Sequence, residues 1–142
     1  MRSAKDLADG LKSDIESGFG KGDMLRLVRQ FVMNAERSAD VASMISDPPS
    51  TTGDKRWDAM VAAVAEYVAV LLHVDVPDWV MESEPLDEWW FVTDYPALHA
   101  LAFVETPPAL ARNGVFMRRA SPVKIWSAVA TSVIPAMLAA SK

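Results

Sequence analysis

The residues best placed to do chemistry lie in residues 76–95, VPDWVMESEPLDEWWFVTDY, where three tryptophans stand among carboxylates with no lysine or arginine. Counting Asp75, the stretch carries seven acidic groups. Glu82, Glu84, Asp87 and Glu88 are close enough in sequence to suggest a carboxylate pair for acid–base work. They lack a basic, histidine or glycine partner at motif spacing, and clustered carboxylates of this kind are usually solvated. Trp79, Trp89 and Trp90 beside these carboxylates would suit stacking against a sugar or a cation. They would equally suit burial against helices or a protein partner. His73 and His99 are the two histidines, and they lack the short-range spacing of a metal-ligand motif. The glycines of SGFGKGD, at 18, 20 and 22, are neither preceded by a strand nor part of a Walker or dinucleotide pattern. With no nucleophile and base in register, the chain is not expected to be an enzyme. Neither a cofactor nor a metal is expected.

A chain of 142 residues suits one domain, able to bury roughly 70% of its unfolded surface without staples. It has no cysteine, which excludes a disulfide framework, a thiolate zinc site and a cysteine nucleophile, and fits a reducing cytoplasm. The start, MRSAKDLADGLKSDIESG, has no signal-peptide core. The longest apolar run, residues 59–74, is interrupted by Glu66 and His73 and is too short and polar to span a membrane.

Charge is segregated along the chain. Residues 1–56 hold nine basic and nine acidic groups, residues 57–111 ten acidic and none basic, and residues 112–142 five basic and none acidic. The plain account is that the basic tail pairs with the acidic arm on folding, with Arg112, Arg118 and Arg119 as an internal clamp. The sharper account is that the acidic segment faces a basic protein. A net charge of −5 argues against direct nucleic-acid binding by the whole domain.

The elements that would hold the arm are helical. Leu7, Leu11 and Ile15 make one narrow stripe, which predicts a weakly docked first helix over residues 3–17. Asp23 is a candidate N-cap for a second helix over residues 24–45, with Met24, Val28, Phe31, Ala35, Ala42 and Ile45 on one face. DPPSTTGD, residues 47–54, reads as a linker. The helix over residues 56–74 is expected to be central, because Trp57, Val61, Val64, Val68 and Leu71 form one row that Met60, Ala65 and Leu72 broaden. Thr52 or Asp54 would cap it. Pro96 opens a short helix to residue 104. Thr106 caps the next, Gly114 stops it, and Val115 to Met117 is extended. From Ser121 a last apolar helix, interrupted at Pro135, would pack on most sides or offer a face for homo-oligomer formation.

Four segments carry a resemblance: RWDAMVAAVAEYVA (56–69), VPDWV (76–80), LDEWWFV (86–92) and PPALARNGVFMRRAS (107–121). This succession resembles a family of small, little-characterised bacterial proteins similar to antitoxin components of toxin–antitoxin systems. The resemblance covers residues 52–121, with a minor departure where Asn113 rather than a cation precedes Gly114. It implies a role in neutralising a partner and implies no mechanism.

The expectation is therefore an all-α domain of five to six helices with an irregular, Trp-rich acidic arm. It divides into an N-terminal helical pair (1–46), a linker (47–54) and a family-like core (55–142). Its function would be to bind and restrain a basic partner, such as a toxin, through Trp79, Glu82, Glu84, Asp87, Glu88, Trp89 and Trp90. The alternative is a small-ligand site or an enzyme built on the tryptophans, carboxylates and His99.

Overall fold

The helix over Lys55–Leu71 (α4) has apolar residues all round its circumference, and such a helix is stable only when covered on all sides. The computed structural model describes residues 3–93 and 95–117, and in it twelve of the helix's seventeen residues are buried. Helices α1 (Ala4–Glu16), α2 (Lys21–Arg37) and α3 (Val41–Ser46) cover part of it. The rest is covered by α5 (Asp78–Met81), α7 (Pro108–Arg112) and the short strand β2 (Val115–Phe116). Between these last elements lie β1 (Trp90–Phe91), a 3-10 turn at Pro96–Leu98 and α6 (His99–Glu105). The fold is mostly helical, as the periodicity predicts.

Three local expectations are corrected. The first helix is firmly docked: Ala4 and Ala8 widen the leucine stripe, and Leu7 and Leu11 are fully buried. Its start is closed by a reciprocal cap, in which Ser3 Oγ accepts from the Asp6 amide and Asp6 Oδ2 accepts from the Ser3 amide. The helix expected over residues 24–45 is two helices, so residues 4–46 hold three helices and not a pair. Ser38 Oγ accepts from the Asp40 amide and Asp40 Oδ1 from the Ser43 amide, so local side-chain bonds replace helical ones and restart the chain as α3. Asp23 lies in the first turn of α2, paired with Arg26, while Gly20 is the N-cap.

The 47–54 segment is a built cap. Asp58 Oδ1 accepts from the amide and hydroxyl of buried Thr52, and Asp54 Oδ1 accepts from the Arg56 amide at 2.8 Å. At the other end of α4, the amides of His73 and Val74 donate to the carbonyls of Val70 and Ala69, closing a Schellman turn. His73 occupies its left-handed position at φ +57 with an exposed side chain, where glycine carries no penalty. His73→Gly is therefore expected to stabilise the protein by about 1 kcal/mol. The readout is a higher urea midpoint at unchanged slope; an unmoved midpoint would show that the turn carries no strain.

Candidate functional site

The arm is irregular but fastened. Backbone amides of Leu86, Trp90 and Val92 donate to the carbonyls of Asn113, Gly114 and Phe116 at 3.1, 2.8 and 2.9 Å. The two strands run parallel, with Trp90 opposite Val115 and Phe91 opposite Phe116. A parallel pair needs a long crossover, and the segment containing α6 and α7 supplies it. Buried Thr106, expected to cap α7, instead ties the crossover to β2: its hydroxyl donates to the Ala102 carbonyl and accepts from the Met117 amide at 2.8 Å. Pro107 takes the cap position of α7.

The three tryptophans divide by burial. Trp79 is half-buried, and its Nε1 donates to the Ile45 carbonyl at 2.7 Å, stitching the arm to the end of α3. Trp90 is 7% exposed and meets Trp57 edge-on, with ring centroids 5.0 Å apart. Trp89 is 60% exposed and leans on Phe116 and Phe103 at 5.0 and 5.5 Å. Trp79 and Trp90 are therefore framework, and Trp89 is the indole exposed to solvent. Leu101, Phe103, Val104 and Tyr95 are exposed as well, so apolar surface continues beyond it.

Glu82, Glu84, Asp87 and Glu88 are all exposed, and none forms an ion pair among the described residues. Arg112 does not clamp these carboxylates. Its guanidinium grips Glu66 of α4 with two hydrogen bonds, Nε to Oε2 at 3.1 Å and Nη2 to Oε1, and reaches the arm only at Met81 Sδ, 3.7 Å away. The physical reason is burial: Glu66 is the one acidic side chain inside α4's covered surface, so it gains most from a cation. The Glu66 hydrogen bond raises the Arg112 pKa, desolvation lowers it, and the Glu66 charge raises it, for a net rise. A raised basic pKa means that the guanidinium's share of the pairing is present below its ordinary value and is lost as pH rises through the raised one. Arg118 and Arg119, the other clamp residues, and the last apolar helix lie outside the described residues.

Beside the arm a cleft of about 570 Å³ opens between it and the N-terminal helices. Trp57, Trp89, Trp90, Phe91 and His99 line it together with Lys21 and Arg56. His99 lies flat against Phe91, centroids 4.2 Å apart and planes 8° from parallel. Arg56 sits 5.8 Å from the Trp90 ring centre. The Lys21 ammonium donates to the Val92 carbonyl. Among the described residues, the arm carboxylates do not line the cleft. Among the described residues, no group of three or more His, Asp or Glu is gathered in metal-binding proximity, and His73 and His99 are on separate elements.

Sequence reasoning brought together Trp89, Trp90 and His99 but missed Arg56, Lys21 and the Glu66–Arg112 pair. Glu66 had a legible signal, a lone carboxylate inside an apolar run. Lys21 and Arg56 had none, since their meeting depends on how α2 and α4 pack. Comparison with protein-family models, curated proteins and solved structures finds no match to this chain. The antitoxin-like resemblance rests on its motifs alone.

Proposed function

We propose that this protein is an antitoxin-like binding protein that captures and restrains a basic protein partner in the cytoplasm. The observation that carries this reading is the state of the arm carboxylates: Glu82, Glu84, Asp87 and Glu88 are exposed and unpaired among the described residues, on a segment hydrogen-bonded to β2 and α3. Arg112 is engaged by Glu66 of α4 and takes none of them. A fastened acidic surface raises the encounter rate with a basic partner and loses little chain entropy on binding. Exposed Trp89 and Phe103 supply the aromatic anchors that carry most of the energy in such interfaces. Net negative charge disfavours a phosphate backbone as the partner. Among the described residues no helix is long and apolar enough to cross a membrane.

The experiment is capture of the partner from the native host by tagged protein, followed by an assay of the captured protein's own activity with and without added binder. The expected result is a basic protein at near-equal amount, inhibited in the complex and released as salt rises. The combined variant Glu82→Lys, Glu84→Lys, Asp87→Lys and Glu88→Lys should fold normally, because these side chains bury nothing, and should lose capture at least about tenfold. Undiminished capture by that variant would remove electrostatic steering from the mechanism, and a partner unaffected in activity would remove restraint.

A second reading is favoured by one observation, the aromatic cleft beside the arm. It departs from the sequence expectation in its charge: Lys21 and Arg56 line the cleft, and among the described residues the arm carboxylates do not.

A further inference from the structure

We infer that the cleft between α2, α4 and the arm is a binding site for a small planar aromatic molecule carrying an anionic group. The inference shares Trp89 with the partner reading above but needs none of the arm carboxylates, which among the described residues do not line the cleft.

Three features define the ligand. The first is shape: the cleft is about 570 Å³, within the range of about 300–1,000 Å³ that small-molecule sites occupy. The second is its walls. The Trp89 indole is exposed and steadied from behind by Phe103 and Phe116, so it offers a stacking surface that is already in place. Stacking on a preset ring selects planar molecules over flexible aliphatic ones. The third is charge. In a chain of net charge −5, the cleft draws Lys21 from α2 and Arg56 from α4 to one place.

Asp54 is the one carboxylate among the described lining residues, and it is occupied by the Arg56 amide. The Lys21 ammonium is tied to the backbone through the Val92 carbonyl. Arg56 is the group that would make the contact. No carboxylate pairs with its guanidinium among the described residues, and the Trp90 face beside it limits its wandering without using its N–H groups. Those N–H groups form a fork that fits a carboxylate or phosphate with two parallel hydrogen bonds. The same charge arrangement rejects cations, and a neutral sugar would leave the fork unused. The binding mode is a ring stacked on Trp89 with its anionic group on Arg56.

The test is isothermal titration calorimetry on the full chain with adenosine monophosphate, indole-3-carboxylate, adenosine and inorganic phosphate. Saturable binding is expected for the first two, with adenosine and phosphate each at least about tenfold weaker, because each lacks one half of the recognition. Preference between the first two tells a nucleotide site from an aromatic-acid site. Arg56→Gln, at an exposed position of the first turn of α4, should weaken the anionic ligands about tenfold and leave adenosine unchanged. Trp89→Ala should weaken both anionic ligands about tenfold, with circular dichroism and unfolding midpoint checking that the fold survives. Adenosine binding as well as its monophosphate, Arg56→Gln binding like the parent, or no heat from either anionic ligand up to millimolar concentration would each overturn the site.

Discussion

Trp90→Ala is expected to cost about 3–5 kcal/mol of stability, a large fraction of the roughly 5–15 kcal/mol that folded domains commonly have. Trp90 is where the arm, the central helix and the cleft meet. Its indole is 7% exposed, it meets Trp57 edge-on at 5.0 Å, and its own amide is bonded to the Gly114 carbonyl. Truncation would leave a void the length of an indole against α4, and the strand pairing around it would hold the void open. The aromatic pair would be lost with it, as would the surface beneath Arg56. In urea the midpoint should fall with little change of slope. The neighbouring Trp89→Ala, which removes a side chain already 60% exposed, should cost about 1 kcal/mol or less. Equal losses at the two positions would contradict the division of the adjacent tryptophans into framework and contact.

The second large effect is expected at Gly114, where the chain turns from α7 into β2 at φ +82. A side chain there meets two obstacles. The left-handed backbone costs a non-glycine residue about 1–2 kcal/mol, and an added Cβ would lie 3.1 Å from Leu86 Cβ and 3.5 Å from the Leu86 backbone nitrogen and oxygen. Leu86 cannot step aside freely, because its amide is bonded to the Asn113 carbonyl in the same junction. Gly114→Ala should therefore cost about 2–4 kcal/mol in all. Gly53→Ala is the internal control: at φ +90 it meets nothing within 4 Å and should show the backbone penalty alone. The amides of Leu86 and Trp90 should also lose hydrogen-exchange protection in the Gly114 variant before those of α4 do. Equal costs at the two glycines would mean that the arm does not press on the turn as closely as the geometry says.

These two predictions mark where reading along the chain gives out. Gly114 was legible as a helix stop, because an Asn-Gly pair after a short apolar helix has few other uses. That it also seats Leu86 was not legible, because the contact joins residues from opposite ends of a crossover. Trp89 and Trp90 are neighbours of identical type, and neither composition nor periodicity distinguishes them. Trp90 opens β1, and its pairing with Val115 seats its indole against Trp57, whereas Trp89 lies just ahead of the strand with its indole exposed. The parallel pairing itself is invisible in two-residue segments.

What the sequence determined by itself is the helical class, the central place of the helix read over residues 56–74, which runs over Lys55–Leu71, and the acidity of the arm. Each follows from local signals: an apolar surface with a 3.6-residue period, proline and glycine punctuation, and a long run without a cation. Tertiary structure decided the rest, because partners and exposure depend on which elements meet. Arg112 turned from the exposed carboxylates to Glu66 because a carboxylate inside the covered helix surface needs a cation more than one in water does. Arg56 and Lys21, scattered in an almost neutral stretch of sequence, became the charged side of an aromatic cleft only when α2, α4 and the arm packed together.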